Sequence, residues 1–215
     1  MAVKPVARPL SMAVPGGRLF EPLMDYFSIR GIRARFVSRR LSTIDSSGRL
    51  EFYRVKNSDL PTYVHHGITG LGIAGDDTLI ESGHSFVRLS TLPIGRTSLC
   101  IAAPRGSPAV EEHGASVVNV ATSYVRLTRD WFHRRGIPVK IIRLGGSVEL
   151  APSLGLAEYI TDLVETGGTL RANGLEILGK LADLRVRLIA NPAYFKLHYR
   201  EIGELTDIVM RENDD

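Results

Sequence analysis

Apolar residues fall into short clusters whose spacing alternates between two periods. Leu19, Leu23, Tyr26, Phe27 and Ile29 recur near helical spacing, as do Val125, Leu127, Trp131 and Phe132, and later Leu197, Ile202, Leu205, Ile208 and Val209. Between them lie runs that read as strands. These are Ser11–Val14, Arg33–Val37, Phe52–Lys56, Gly70–Gly75, Phe86–Thr91, Ser98–Ala103, Ser116–Ala121, Val139–Leu144, Tyr159–Val164, Leu175–Leu178 and Arg185–Ala190. Helix signals punctuate them. Ser58 or Asp59 caps a helix with Pro61 in its first turn, running through His65. Asp76-Asp77 caps another through Ser82. Thr122 or Ser123 caps a third that ends at Gly136. A short helix is expected over Val148–Glu158, and a long amphipathic one over Tyr194–Met210, just after Pro192. Regular alternation of this kind predicts an α/β architecture with mainly parallel sheets.

The length, 215 residues, allows one large domain or two small ones, and 44% hydrophobic residues suffice for a buried core. The net charge of +4 suits an anionic ligand. Lys and Arg are too scattered for a nucleic-acid tail. Their one cluster, Arg33, Arg35, Arg39 and Arg40, reads equally as a solvated face or an anion-attracting surface. The single cysteine, Cys100, cannot form an intramolecular disulfide, which fits a reducing, cytoplasmic setting, and its apolar flanks predict a buried strand position. No signal-peptide pattern is read at the N-terminus, and no run approaches the ~20 apolar residues of a membrane span.

Chemistry concentrates in Asp162–Gly174, "DLVETGGTLRANG". Here an apolar strand ends in a Thr-Gly-Gly-Thr turn that starts a helix, at the carboxyl end of a strand, where α/β folds bind ligands. Gly167 and Gly168 permit positive φ and close backbone approach, Thr166 and Thr169 add hydroxyls, and the helix aims N–H groups at the same spot. That is a phosphate cradle, or simply a corner. Asp162 would repel a phosphate placed against it but would accept hydrogen bonds from a ribose set between them. Glu149 could do likewise or help hold Mg²⁺. Together these features suggest a phosphoribosyl group. Other clusters have plainer readings. His65-His66 lacks a third ligand at metal spacing and reads as a helix-end or solvated pair; Glu111-Glu112-His113 reads as a solvated loop; Asp76-Asp77 reads as a helix cap rather than a metal site; Trp131 and Phe132 read as core.

The spaced set Glu149, Gly155, Ala157, Ile160, Asp162-Leu163, Thr166-Gly167 and Thr169-Leu170 resembles the signature of the ATP phosphoribosyltransferase family. "MAVPGGRLFEPLMDYF", "DLPTYVHHGITGLGIAGDDTLIESG" and "VATSYVRLTRDWFHRRGIPVKIIRLGGSVELAP" extend the resemblance over nearly the whole chain, at the length of the short form. It implies two α/β domains of the periplasmic-binding-protein type II kind with an active-site cleft between them. Residues 1–92 plus 183–215 would form the ATP side, and 93–182 the phosphoribosyl diphosphate side. The implied reaction transfers the phosphoribosyl group of 5-phosphoribosyl 1-diphosphate to N1 of ATP, the first step of histidine biosynthesis, with Mg²⁺. A homodimer and a histidyl-tRNA-synthetase-like regulatory subunit are the implied partners, with neither nucleic acid nor membrane.

By the same resemblance Arg18, Glu149 and Asp162 are the candidate catalytic residues. Asp162, Thr166, Gly167, Gly168, Thr169 and Leu170 would bind phosphoribosyl diphosphate. Gly17, Arg18, Gly75 and Asp76 would face the nucleotide, and Glu149 and Asp162 the metal. The sequence departs from the family at three nucleotide-side positions. Gly16 stands where the family's Leu-Pro-Lys-Gly-Arg loop has lysine. Gly70 and Asp76 replace the first acid and the lysine of Asp-Leu-Gly-Ile-x-Gly-Lys-Asp, the latter a change toward repelling a triphosphate. The stretch before Cys100 also lacks the family's Gly-Phe-Gly pattern. A solute-binding protein, or a diverged paralogue that binds phosphoribosyl diphosphate or another small anion with a different acceptor or no catalysis, is the competing role.

Overall fold

The computed structural model describes residues 8–37 and 39–211. Residues 1–7, 38 and 212–215, which the sequence reading assigns to the first domain, lie outside the described residues. The chain divides into two compact units, Met1–Gly95 with Arg185–Asp215, and Arg96–Leu184.

In the first unit, β1 (Leu10–Pro15) pairs in parallel with β3 (Leu50–Val55), Leu10 opposite Leu50 and Pro15 opposite Val55, and with β4 (Leu71–Gly75) on its other side. The edge strand β2 (Ser42–Ile44) runs antiparallel to β3. The end of β9 (Leu175–Ala190) runs antiparallel to β4, Leu71 opposite Ala190. Strand alternation sorts side chains onto two faces. Leu10, Met12 and Val14 point with Phe52, Ile73 and Leu188 into a core covered by α1 (Phe20–Ser28) and α8 (Tyr199–Met210), which contribute Leu23, Phe27, Ile202, Leu205 and Val209. Ala13, Ala74 and Ile189 face α2 (Leu60–His65) and α3 (Asp76–Ser82) through Leu60, Val64 and Leu79.

In the second unit, β6 (Val118–Thr122) lies in parallel between β7 (Val139–Arg143) and β8 (Tyr159–Val164), and the latter part of β5 (Val87–Pro104) pairs antiparallel with β8. Helix α4 (Val125–Arg134) buries Trp131 and Phe132 against Ile101, Val120 and Tyr159. On the other face, α5 (Leu150–Ser153) and α6 (Gly168–Ala172) seat Ala151 and Leu170 on Ala102, Ala121 and Ile160.

Several expectations change. Arg33–Val37 is extended but joins no ladder: its carbonyls accept from Ser46 N (Arg33) and Thr43 Oγ1 (Arg35), while Ala34 and Phe36 pack on the first core. The strands read as Phe86–Thr91 and Ser98–Ala103 belong to one strand, β5, with Gly95 at φ 61° inside it. Leu175–Leu178 and Arg185–Ala190 likewise belong to the single β9. The Val148–Glu158 helix shrinks to α5, and the last helix is two, α7 (Pro192–Leu197) and α8, broken at His198. Asn191 caps α7, its side chain accepting from Ala193 N and Tyr194 N. The residue before α4 is Tyr124, and Thr122 turns its hydroxyl to Tyr124 N instead. The sheets are mixed, with antiparallel neighbours for β2, β5 and β9. Cys100 is buried in β5, and burial raises its thiol pKa, consistent with a packing role.

Candidate active site

In the second unit, β8 delivers Asp162 half-buried, opposite Cys100, with its Oδ1 accepting from Leu163 N at 2.8 Å. The position is held from behind by three fully buried hydroxyls. Thr122 Oγ1 donates to Thr161 O (2.8 Å), and Thr161 Oγ1 donates to Thr122 Oγ1 (2.7 Å). Each of those protons is then committed, so Thr128 on α4 must donate to Thr161.

The strand ends at Val164, and Glu165-Thr166 turn outward into Gly167, whose φ of 72° is left-handed and favours glycine. Gly168 is an ordinary helical residue, so of the two glycines only Gly167 supplies the positive φ that the sequence reading gave to both. Arg171 reaches back from α6 and donates from Nη2 to Thr166 O at 2.9 Å, clamping the turn from its helix side. Thr166, Gly168 and Thr169 are exposed, and the first N–H groups of α6 have no partners within the helix. The Leu170 side chain is buried in the core, so at the site it can offer only its main chain. The helix is a little over one turn, so its dipole is weak, and the loop's donors matter more.

Glu149 immediately precedes α5 and is half-buried. It follows Ser147, the one described non-glycine residue with positive φ (50°). Such a conformation costs on the order of 1–3 kcal/mol and concentrates at functional turns.

In the first unit, Gly17 (φ 81°) and Arg18 lie exposed on the loop leaving β1. Gly75 is the N-cap of α3, so Asp76 and Asp77 sit in its first turn rather than capping it. Asp76 is buried, and its carboxylate accepts from Arg187 Nε and Nη2, both at 2.9 Å, and from Arg185 N at 3.1 Å. Arg88 stands 4.0 Å away. The acid read as repelling a triphosphate is thus neutralised. Gly70 is explained by Tyr194: a β-carbon there would lie 2.1 Å from that ring. Gly16 has more room, a β-carbon meeting only Val55 O at 3.4 Å and Arg54 Nε at 3.9 Å.

Arg54 is the residue that sequence reasoning missed. From β3 its guanidinium stacks on Phe20, 3.9 Å from the ring centroid, directly beside the Gly16-Gly17-Arg18 loop. No local pattern signals it: the placement follows from the pairing of β1 with β3, which sets Val14 opposite Arg54. His65 stacks on His84 at 3.9 Å rather than merely meeting solvent beside His66, and among the described residues no cluster of three or more His, Cys, Asp or Glu is arranged for a metal. His113 is not a loose loop residue either: its Nε2 lies 2.6 Å from the Tyr159 hydroxyl, which donates to Pro108 O. Arg33, Arg35, Arg39 and Arg40 are all exposed.

A family model described as ATP phosphoribosyltransferase matches residues 56–211. The chain belongs to the ATP phosphoribosyltransferase family. Relatives of that name agree over almost the full length. One from Caldicellulosiruptor saccharolyticus is 40% identical over 94% of this chain and 98% of its own, and one from Aquifex aeolicus is 36% identical over 96% of each. The family likeness extends to the fold. The "ATP phosphoribosyl transferase (HisG:HisZ) complex from Thermotoga maritima" contains a chain with a TM-score of 0.80 and 30% identity, covering 93% of this chain and 96% of that one. The periplasmic aliphatic sulphonate binding protein SsuA from Escherichia coli matches in fold alone, with a TM-score of 0.61, 14% identity, and 94% and 71% coverage. The architecture is thus the α/β, periplasmic-binding-protein type. No helix among the described residues is long and apolar enough to cross a membrane.

Proposed function

We propose that this chain transfers the phosphoribosyl group of 5-phosphoribosyl 1-diphosphate to N1 of ATP, forming phosphoribosyl-ATP and diphosphate. The observation that carries the reading is the Asp162-to-Leu170 turn: an acid, a left-handed Gly167 and an open run of amides and hydroxyls, in a chain of this family. The adenine N1 lone pair forms the new bond to C1 of the ribose as the C1–O bond breaks, and diphosphate leaves with the electron pair. The protein needs no nucleophile of its own. Its work is positioning and electrostatic stabilisation of charge developing at the sugar and the leaving group.

Each residue takes a role its chemistry suits. Thr166, Gly167, Gly168, Thr169 and the Leu170 amide hold the 5-phosphate, each charge-assisted bond contributing roughly 1.5–3 kcal/mol. Asp162 accepts from the ribose hydroxyls. Gly17, Gly75, Arg18 and Arg54 serve the nucleotide or diphosphate, with Arg54 supplying the cation that Gly16 does not. Asp76 acts by fixing Arg187 rather than by touching ATP. The first unit is accordingly the nucleotide side and the second the phosphoribosyl side.

Glu149 and Asp162 are hard oxygen donors, and the described residues hold no larger ligand cluster. That set fits Mg²⁺ carried in by the substrate's phosphates, since Mg²⁺ is usually held by one or two carboxylates, water and substrate. When bound it would neutralise the departing diphosphate. A homodimer joined by a synthetase-like regulatory subunit, in a cytoplasmic setting, completes the proposal; the matched complex from Thermotoga maritima supports a partner of this kind.

Calorimetric titration of the chain with phosphoribosyl diphosphate and Mg²⁺ tests the sugar site separately from turnover. Gly167→Ala should weaken binding roughly fivefold or more, because a turn that relaxes to escape a strain on the order of 1–3 kcal/mol no longer aims its amides at the phosphate. Its β-carbon would also press within 3.1 Å of Arg171 Nη1. Equal affinity in parent and variant would exclude this turn as the phosphate site.

A further inference from the structure

A second concave site lies in the first unit at the amino ends of β1 and β3, the opposite end of β1 from the Gly16-Gly17-Arg18 loop. Six strand residues separate the two, about 20 Å at ~3.3 Å per residue. The cavity is about 430 Å³, within the range of small-molecule sites. Its apolar wall comes from Leu10, Ile32, Leu50, Leu205 and Ile208. Arg8, Arg30, Arg49 and His198 bring donors to it.

The acids nearby do not cancel those donors equally. Asp45 is filled from within the protein, accepting from Ser47 N (3.0 Å), Ser47 Oγ (2.6 Å), Arg49 N (2.9 Å) and Leu50 N (2.8 Å). Burial alone would raise its pKa, but these bonds bring the carboxyl below its ordinary value, so it is a structural anion shaping the turn. Glu201 is exposed at the rim. Arg49 is tied to Glu204 at 2.6 Å.

Arg30 differs. Its guanidinium lies over Tyr26, 3.7 Å from the ring centroid, and Nη1 donates to Tyr26 O at 3.2 Å. Its Nε is buried with no acceptor among the described residues. The ring contact and the bond to Tyr26 O fix the plane of the guanidinium in the cavity lining, so a positioned, delocalised cation stands ready for an anionic group there. The wall is firm, since Tyr26 Oη donates to Val209 O at 2.7 Å and ties α1 to α8.

We infer that this cavity binds a small organic anion, a carboxylate, sulfonate or phosphate head on a hydrocarbon or aromatic body, with the head on Arg30 and Arg8 and the body against Leu205 and Ile208. The site stands apart from the proposed transfer chemistry, and its test does not need turnover.

The full chain should be titrated with 8-anilinonaphthalene-1-sulfonate, followed by the dye's fluorescence, with octanoate as competitor. One saturable site per chain, displaced by octanoate, is expected. Arg30→Met should raise the dissociation constant at least tenfold, Arg8→Ser should do so less strongly, and Ile208→Trp, which fills the floor, should abolish the signal. All three should bind phosphoribosyl diphosphate as the parent does, which reports intact folding. Absence of a saturable site, or a site indifferent to all three substitutions, overturns the inference. Loss in Ile208→Trp with parental affinity in both arginine variants overturns it too, because the site would then be apolar with no anion head.

Discussion

Arg187 clasps the Asp76 carboxylate with two parallel hydrogen bonds, Nε to Oδ1 and Nη2 to Oδ2, each 2.9 Å long. Arg187 also reaches Thr91 Oγ1 through Nη1, and its pKa is raised, first by the bond to Asp76. Bidentate pairing of this kind is directional and hard to replace by another cation–anion pair. The acid is therefore part of a local unit with Arg187. Restoring lysine, the family's residue at this position, would set two cations together. Asp76→Lys is expected to destabilise the chain by about 2–4 kcal/mol and not to improve ATP binding. Urea unfolding and ATP titration check both halves. A stable Asp76→Lys variant with tighter ATP binding would contradict the pairing argument.

Gly70 and Tyr194 form a second matched pair. The ring occupies the volume a side chain at 70 would need, and its hydroxyl accepts from Ser11 N at 3.2 Å. Gly70→Asp should cost about 1–3 kcal/mol through overpacking. Gly70→Asp with Tyr194→Ala should lose less than the sum of the two single changes, as expected for residues sharing one space. A double-mutant cycle by chemical denaturation measures this, and strict additivity would refute it.

Arg54 gives a prediction about function. Arg54→Met should raise the ATP or diphosphate-side Michaelis constant about tenfold, the loss of one charge-assisted bond of roughly 1.5 kcal/mol or more. Gly16→Lys should recover part of that loss, since position 16 has negative φ and no close contact under 3.4 Å. Steady-state kinetics on the single and double variants decides it. An unchanged Michaelis constant in Arg54→Met would remove Arg54 from the site.

Asp77 carries a pH dependence. Burial raises its carboxyl pKa, offset only in part by bonds from Thr78 and from its own backbone N–H. A folded-state pKa above the unfolded value means the folded chain holds the proton longer. The stabilisation is then complete below the ordinary carboxylate range and is lost as pH rises through the raised value. Asp77→Asn should therefore be more stable than the parent near neutrality, with the gap closing toward about pH 4. Urea midpoints across that span are the check, and a gap that widens in acid would reverse the assignment.

How much of this was legible in the sequence depends on the range of the interactions. The β8–α6 turn could be read because Thr-Gly-Gly-Thr encodes its geometry locally; only the division of labour between Gly167 and Gly168 needed the structure. Cys100 reads as core because its chain neighbours are apolar, and Trp131 and Phe132 because they continue the helical spacing begun by Val125 and Leu127. Strands β5 and β9 were each split because Pro93, Gly95 and Gly179 look like stops, whereas pairing with neighbouring strands carries the backbone through. The His198 break was hidden because the apolar period continues across it. Tyr194 against Gly70, Arg187 against Asp76 and Arg54 beside Gly16 could not be read at all. Each joins residues distant in the chain, and two of the three turn an apparent defect at the nucleotide side into a local fit.

The most direct test is product formation from ATP and phosphoribosyl diphosphate with Mg²⁺, with and without a synthetase-like partner, comparing the parent chain with Asp162→Asn and Thr169→Val. Phosphoribosyl-ATP and diphosphate are expected in equal amounts from the parent, with a loss of roughly a hundredfold or more in each variant. A parent that binds the sugar diphosphate yet makes no product under either condition, or variants that turn over as the parent does, would contradict the proposed transfer.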